Sequence, residues 1–219
     1  MTTTAQSIIK EVQRAFNDLA GDRAPASDLV ALLNRAQRDI QVARPDLTTT
    51  SITHALVAGF SQSLPDSAAS LIDIVANAGG SRERIRKVDA RLMDDINPKW
   101  RSKTPSVVIK HFMHDQREPR RFDVYPPAAV GARVTLEASL YPVDVPTPEG
   151  NGKAHTTVTG TISLPDEFST ALMCLTLHYA YLTDLEGASN QALATGYLQR
   201  AEQILGVQLM ARDATAPKS

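Results

Sequence analysis

The sequence predicts an α+β fold that is mainly α, in which terminal helices form a bundle and a β-rich insertion lies between them. Two observations predict this fold. Near both ends of the chain, apolar residues recur at spacings of three and four, the period of an amphipathic helix. Between the ends, residues 48–160 are rich in β-branched residues and are interrupted by Pro and Gly, which is typical of strands and turns.

Residues 8–44 predict two helices that form a hairpin. The apolar stripe of the first helix ends near Gly21, a residue type that commonly terminates helices. Ser27 is placed to cap the second helix, and Pro45 ends it because proline restricts the preceding Arg44 to extended geometry. The stripe of the first helix consists of Ile8, Ile9, Val12, Phe16 and Leu19.

After residue 48 the composition shifts toward residues that favour strands. Within this region, Leu64-Pro65-Asp66 predicts the start of a short helix that runs through Val75. A second short helix is expected from Asp89 to Ile96, before Asn97-Pro98. Strands or β-rich runs are expected at 48–60, 85–88, 107–112, 121–125 and 134–141.

The last part of the chain returns to helices after a long loop. Pro and Gly punctuate residues 142–160, so we expect this loop to be either disordered or a long extended excursion. Leu164-Pro165 then predicts the start of a helix of about twenty residues, followed by a second helix over 190–205. The predicted domains are a helical bundle of 1–47 and 161–210, a β-rich insertion of 48–160, and a flexible tail of 211–219.

The composition excludes several classes of protein. The 219 residues contain 23 Lys and Arg against 24 Asp and Glu, so the chain lacks the overall basicity of a non-specific nucleic-acid binder. Aromatic residues make up 5%, which argues against a surface that stacks bases. No stretch has the roughly 18 apolar residues of a membrane span, and the N-terminal residues do not resemble a signal peptide. A single cysteine, Cys174, excludes disulfides within the chain. We therefore expect synthesis in a cytoplasm.

The charges are divided unevenly along the chain. Residues 81–121 hold twelve Lys and Arg and six Asp and Glu, a balance of +6, and the remainder has a balance of −7. This division predicts a basic and an acidic region, which suits association between copies and could also serve contact with a polyanion. The alternative is that the charges alternate along strands and loops that face solvent.

The sequence contains no motif that indicates catalysis. It lacks the glycine patterns of phosphate-binding loops and the G-x-S-x-G pattern of hydrolases. His111, His114 and Asp115 form one candidate metal site, but residues 111 and 114 point to opposite faces of a strand. His178 is expected to make a helix–helix contact. We therefore predict no enzyme activity, no cofactor and no metal.

Seven short motifs, taken in their order along the chain, resemble the head-to-tail adaptor proteins of short-tailed bacteriophages. The likeness covers residues 8–206, and the shared order rather than any single motif carries it. The motifs are 40–46 (IQVARPD), 60–65 (FSQSLP), 71–77 (LIDIVAN), 88–94 (VDARLMD), 98–100 (PKW), 122–127 (FDVYPP) and 162–165 (ISLP).

This resemblance implies a structural protein of the virion, without a catalytic site, at the head–tail junction. Members assemble as a ring, usually of twelve copies, between the portal and the tail or nozzle, and DNA leaves through the ring without specific recognition. Made in the bacterial host cytoplasm, such a protein needs no membrane. The candidate interface residues are Arg82, Arg84, Arg86, Lys87, Trp100, Arg120 and Arg121.

The sequence is compatible with two other functions and does not determine what residues 81–121 contact. Residues 81–121 could belong to a DNA-binding protein, and His111, His114 and Asp115 could belong to a small metal-dependent hydrolase. The basic segment could face an acidic neighbouring copy, the portal or DNA, and contact with protein is preferred because tight phosphate binding would impede the passage of DNA. Trp100 either caps an edge of the core or anchors an interface.

Overall fold

The computed structural model describes residues 3–79, 83–149, 152–183 and 188–209. Within these ranges the chain forms five α-helices and seven strands in two sheets, about 41% helix and 24% strand. The helices are α1 (Ala5–Ala15), α2 (Ala26–Ala43), α3 (Ala90–Ile96), α4 (Ser169–Thr183) and α5 (Ala188–Leu205). The strands are β1 (Thr49–Ala55), β2 (Gly59–Ser63), β3 (Ala68–Asn77), β4 (Arg86–Lys87), β5 (His111–Met113), β6 (Arg121–Ala128) and β7 (Arg133–Leu140).

The predicted fold class, mainly α with terminal helices around one β-rich insertion, is wrong. Seven strands in two separate sheets give strand a large share of the structure, and α3 interrupts them in sequence. The strands also end at Leu140, whereas residues 142–160 were expected to belong to the insertion. Terminal helices therefore do not bracket a central β insertion. The pattern of β formers indicated strands but carried no information about how many sheets they form.

The short helix predicted between residues 66 and 75 is strand β3 instead. Buried positions in β3 recur every third residue, at Ala68, Leu71, Ile74 and Asn77. The reason is a register shift at three places along the pairing of β3 with β7, each of which adds one residue to β3. A strand with repeated bulges therefore imitates the spacing of a helix.

The chain divides into two compact units, a helical unit of residues 1–47 and 142–219 and a β unit of residues 48–141. In the helical unit, α4 packs against α1, α2 and α5. Its residues Leu172, Leu175 and Leu177 are almost fully buried, and burial extends around most of the helix. Such a helix is a core element, since a helix at the surface keeps a polar face.

Buried amide side chains hold the segment from residue 142 to 163 against the helices. Asn34 on α2 accepts from the backbone N–H of Val145 at 2.8 Å and donates to its carbonyl at 2.9 Å. Gln13 on α1 donates to the carbonyl of Lys153 at 2.7 Å. Each amide supplies partners that a neighbouring strand would supply, so these parts of the loop are bound to the helices.

Replacing Asn34 with alanine should destabilise the helical unit by about 2–4 kcal/mol, because both backbone groups of the buried Val145 lose their partner. Urea unfolding followed by circular dichroism measures the effect. Gln199→Ala on the exposed part of α5 is the control, and it should change stability by less than about 0.5 kcal/mol. Equal effects of the two variants would contradict the role given to Asn34.

The β unit consists of two sheets that share one core. One sheet has the strand order β1-β7-β3 and the other has the order β2-β6-β5-β4, in which only the pair β4–β5 is parallel among the described strands. Leu136 and Ile74 from the first sheet and Phe112 and Val124 from the second belong to the same buried cluster. On its other face, the four-stranded sheet carries a smaller cluster of Met93, Trp100 and Met113.

The helix predicted from Asp89 to Ile96 is confirmed as α3. The carboxylate of Asp89 accepts from the backbone N–H of Arg91 at 2.8 Å and of Leu92 at 3.3 Å, which is the role of an N-terminal cap. None of the helices in the described ranges has the length and apolar character needed to cross a membrane. Arg82 and the predicted flexible tail at 211–219 lie outside the described residues.

Candidate functional site

Four exposed cations lie on or beside β4, the last strand of the four-stranded sheet, and we call them the basic edge. They are Arg84, Arg86, Lys87 and Lys110. β4 is the last strand of this sheet, and its Arg86 pairs with His111 of β5, next to Lys110. Within the described part of the chain, none of the four forms an ion pair. The basic edge therefore carries positive charge that no ion pair among the described residues neutralises.

The ring of His111 lies beside two of these cations, Arg86 and Lys110. It is half-buried and stacks on Tyr125 with 6.0 Å between ring centroids. Burial lowers the pKa of His111, and the positive charges of Arg86 and Lys110 lower this pKa further. Arg86 and Lys110 therefore act on the same small region of the surface.

The other arginines predicted for the interface differ from the basic edge. Arg120 lies 3.3 Å from the carboxylate of Asp66, and Arg121 lies 3.5 Å from that of Glu118. Both are partly neutralised within their own chain. Arg84, Arg86 and Lys87 are close in sequence at β4, and Lys110 lies beside Arg86, although Arg86 and Lys87 point to opposite faces of the sheet. Arg120 and Arg121 differ from them because each is paired with a carboxylate. Lys110 was missed because the parallel pairing of β4 with β5 has no signature in the sequence.

Trp100 lies in the core, the first of the two roles considered for it. Its side chain is 0% exposed, and its indole N–H donates to the carboxylate of Asp94 at 2.8 Å. The guanidinium of Arg101 lies over the indole at 4.4 Å from the ring centroid and also binds Asp94. Hydrogen bonds from Arg101 and then from Trp100 hold the pKa of Asp94 below its usual value. Trp100 therefore fixes the position of a charged group at the surface.

An open groove of about 1020 Å³ lies at the end of the sheet where β2, β4 and β5 finish. Its less exposed lining includes the apolar Phe60, Met113 and Phe122 beside polar side chains such as Ser61 and Asp123. Charged side chains of both signs complete it, and several pair with each other, as Arg117 does with Asp115 at 2.8 Å. The groove therefore has no strong preference for an anion or a cation.

Asp123 is a half-buried carboxylate in this groove. Burial raises its pKa, although a hydrogen bond from Ser61 and the charges of Arg101 and Arg121 act in the opposite direction. A raised pKa in the folded state means that the charged form is disfavoured by folding. The contribution of this carboxyl group to stability is therefore greatest at acidic pH and declines as the pH rises through its folded pKa.

Replacing Asp123 with asparagine should raise the melting temperature of the β unit at pH 7, since asparagine keeps a hydrogen-bond acceptor for Ser61 without the disfavoured charge. The gain should shrink toward pH 4, where the wild-type carboxyl group takes up its proton. Calorimetry at both pH values measures the difference. If the variant gained less stability over wild type at pH 7 than at pH 4, this account would be contradicted.

The histidines have structural partners. His114 Nδ1 lies 2.9 Å from the carbonyl oxygen of Arg121, whereas His111 stacks on Tyr125. His178 contacts the carbonyl of Ala194 at 2.9 Å and so joins α4 to α5, which confirms the predicted helix–helix contact. Across the described residues, no three His, Cys, Asp or Glu side chains are grouped so that they could hold a metal ion.

Comparison with known families adds one match over nearly the whole chain. The family model described as SU10 adaptor protein matches residues 3–219. The match therefore includes both the helical unit and the β unit with its basic edge. No curated protein matches the chain.

Proposed function

Because the chain belongs to the SU10 adaptor protein family, a family of bacteriophage head-to-tail adaptors, we propose that it forms the ring that joins the portal to the tail of a phage particle. The match over residues 3–219 is the observation that carries this proposal. In this role the protein acts by association rather than by catalysis. About twelve copies close into a ring, which leaves a central channel for the DNA and a platform for the tail.

A ring requires two different surfaces on each copy that fit each other. The formal charges of the two units support such a fit: residues 48–141 hold 13 Lys and Arg and 10 Asp and Glu, whereas the rest of the chain holds 10 and 14. A basic surface on one copy can then face an acidic surface on the next. The basic edge supplies the cations, since none of its four side chains is neutralised among the described residues.

We assign the basic edge to contact with protein rather than with DNA. Contacts with phosphates dominate the affinity of proteins for DNA, so a channel lined by free cations would hold the genome instead of letting it pass. An acidic protein surface faces no such conflict. This assignment predicts that the basic edge affects assembly and its salt dependence, and that the chain alone does not bind duplex DNA strongly.

Reversing the charges of the basic edge should lower ring formation on the purified portal by about tenfold or more, because like charges then face each other at the contact between copies. The variant is Arg84→Glu/Arg86→Glu/Lys87→Glu, and copies bound per portal are counted by native mass spectrometry. The control, Lys10→Glu/Lys99→Glu/Lys103→Glu, changes exposed cations outside the basic edge and alters the net charge equally.

Two outcomes would contradict the assignment. Rings that form equally well with both triple variants would show that the basic edge does not lie at a contact between proteins. Salt-dependent binding of duplex DNA that the basic-edge variant alone loses would favour a DNA-binding protein instead.

A further inference from the structure

Strand β1 lies at the edge of the three-stranded sheet, and β7 is the one described strand that pairs with it. The backbone N–H of Leu56 donates at 2.9 Å to the carbonyl of Ala132, the pair that continues the β1–β7 register. Hydrogen-bonded and non-hydrogen-bonded pairs alternate along an antiparallel ladder, so Ser51, Thr53 and Ala55 direct their backbone groups away from β7. The N–H and C=O groups of these three residues therefore form an open edge, which we call the β1 edge.

The β1 edge lacks the features that protect edge strands in natural proteins. Such edges are usually blocked by charged side chains, by proline, by a bulge or by a covering segment. The seven residues of β1 include no Asp, Glu, Lys, Arg or Pro, and their register with β7 runs from Thr49 to Ala55 without a shift. The side chains of Ser51, Thr53 and Ala55 are exposed. The β1 edge can therefore accept a further strand.

The other three edges of the two sheets are protected. β3 has three shifts of register, and its outer side is partly covered: the N–H of Leu71 donates to the carbonyl of Pro119 at 2.9 Å, and the N–H of Ile85 donates to the carbonyl of Val75 at 3.2 Å. β2 has five residues and a shift of register in its pairing with β6. β4 has two residues, both of them cationic. Among the described edges, the β1 edge is therefore the one suited to pairing with another chain.

A second copy of β1 fits this edge in full register. Antiparallel pairing of β1 with β1 of another copy places Ile52 opposite Ile52, Ser51 opposite Thr53, and Thr50 opposite His54. Ser51 and Thr53, whose backbone groups face outward, then exchange hydrogen bonds, and Ile52 forms a non-hydrogen-bonded pair, in which side chains lie closest. Ile52 is only half-buried against the core of the β unit, and its counterpart covers it further. No like charges face each other, so the two identical strands meet without repulsion.

We propose that two copies of the free chain pair antiparallel through the β1 edge and join their three-stranded sheets into one sheet of six strands. A single pair of short strands is a small contact, so the pairing is weak and depends on concentration. The contact is two-fold, whereas a closed ring requires a heterologous contact, so the pairing belongs to the chain before assembly. This inference goes beyond the proposed adaptor function and does not rest on it.

Sedimentation velocity of the full-length chain over roughly 10 µM to 1 mM tests the pairing. We expect the wild-type chain to change from monomer to dimer as its concentration rises. Thr53→Pro should weaken this association about tenfold or more without unfolding the β unit, because it removes an N–H that faces away from β7. Thr53→Val is the matched control, since it keeps this N–H and should keep the dimer. A wild-type chain that stays monomeric, or a Thr53→Pro variant that pairs as well as wild type, would overturn the proposal.

Hydrogen exchange of the wild-type chain gives a second test that needs no variant. In the dimer, the amides of Ser51 and Thr53 should exchange about tenfold or more slowly than in the dilute monomer, whereas those of Ile52 and His54, which face β7, are protected in both. A dimer that leaves Ser51 and Thr53 unprotected uses another surface and overturns the proposal. Protection of these two amides only within phage particles, without a dimer of the free chain, overturns it in favour of a strand supplied in the particle. The adaptor function is tested separately, by binding to the portal.

Discussion

Gly21→Ala should destabilise the helical unit by about 2–5 kcal/mol, because two costs add: that of alanine in a left-handed backbone conformation and that of an overpacked contact. Gly21 has a φ of +72°, a conformation that costs little for glycine and more for any residue with a Cβ atom. A Cβ atom at this position would also lie 2.0 Å from the carbonyl oxygen of Lys153. Since that oxygen belongs to the backbone, it cannot rotate away as a flexible side chain would.

Gly206→Ala is a matched control for this prediction. Gly206 has nearly the same backbone conformation, with a φ of +68°, but a Cβ atom there would meet nothing within 4 Å. Its replacement should therefore cost only the free energy of placing alanine in a left-handed backbone conformation, about 1–2 kcal/mol. Urea unfolding of both variants gives the difference between them. If the two variants lost the same stability, the close approach of Gly21 to Lys153 would have no energetic importance.

Trp100→Ala should destabilise the β unit by about 3–5 kcal/mol, the usual cost of removing a large aromatic side chain from a core. The indole is fully buried beside Met93 and Met113, and the ring of Phe60 meets it edge-on at 5.7 Å. The alanine variant should also loosen the turn at residues 100–102, because Arg101 loses the ring beneath its guanidinium and keeps only its contacts with Asp94 and Phe60. Thermal unfolding measures the first effect, and hydrogen exchange at residues 100–103 measures the second.

Trp100→Phe distinguishes packing from hydrogen bonding at this position. Phenylalanine keeps most of the apolar contact but cannot donate to Asp94, so the loss should be smaller than for alanine, about 1–2 kcal/mol. An alanine variant no less stable than the phenylalanine variant would show that Trp100 does not support the core of this unit.

The elements that the sequence predicted best are those whose local signals agree with their surroundings. The break at Asn97-Pro98 correctly predicted the end of α3, and the structure shows that Asp89, where this helix was expected to start, caps it. At β3 the start signal Leu64-Pro65-Asp66 wrongly predicted a helix, because the pairing with β7 that makes this segment a strand joins residues that are distant in sequence. The division of the strands into two sheets depends on pairing between distant residues, which one sequence does not contain.

The candidate site could be predicted only in part for the same reason. The run of charges around residues 82–87 pointed to Arg84, Arg86 and Lys87, because neighbours in sequence stay neighbours on a strand and its flanking turn. Lys110 joins them only through the pairing of β4 with β5. The partner of Arg120, Asp66, is likewise distant in sequence, so the pairing of this arginine was not visible before the fold was known.

The most direct test of the central claim uses phage heads that are filled with DNA but lack the adaptor. Purified chain is added to such heads, and the portal vertex is imaged by electron cryomicroscopy. The adaptor function predicts a closed ring of about twelve copies on the portal, with a channel along its axis. A vertex that stays bare at saturating concentration, while the folded chain remains free in solution, would contradict it.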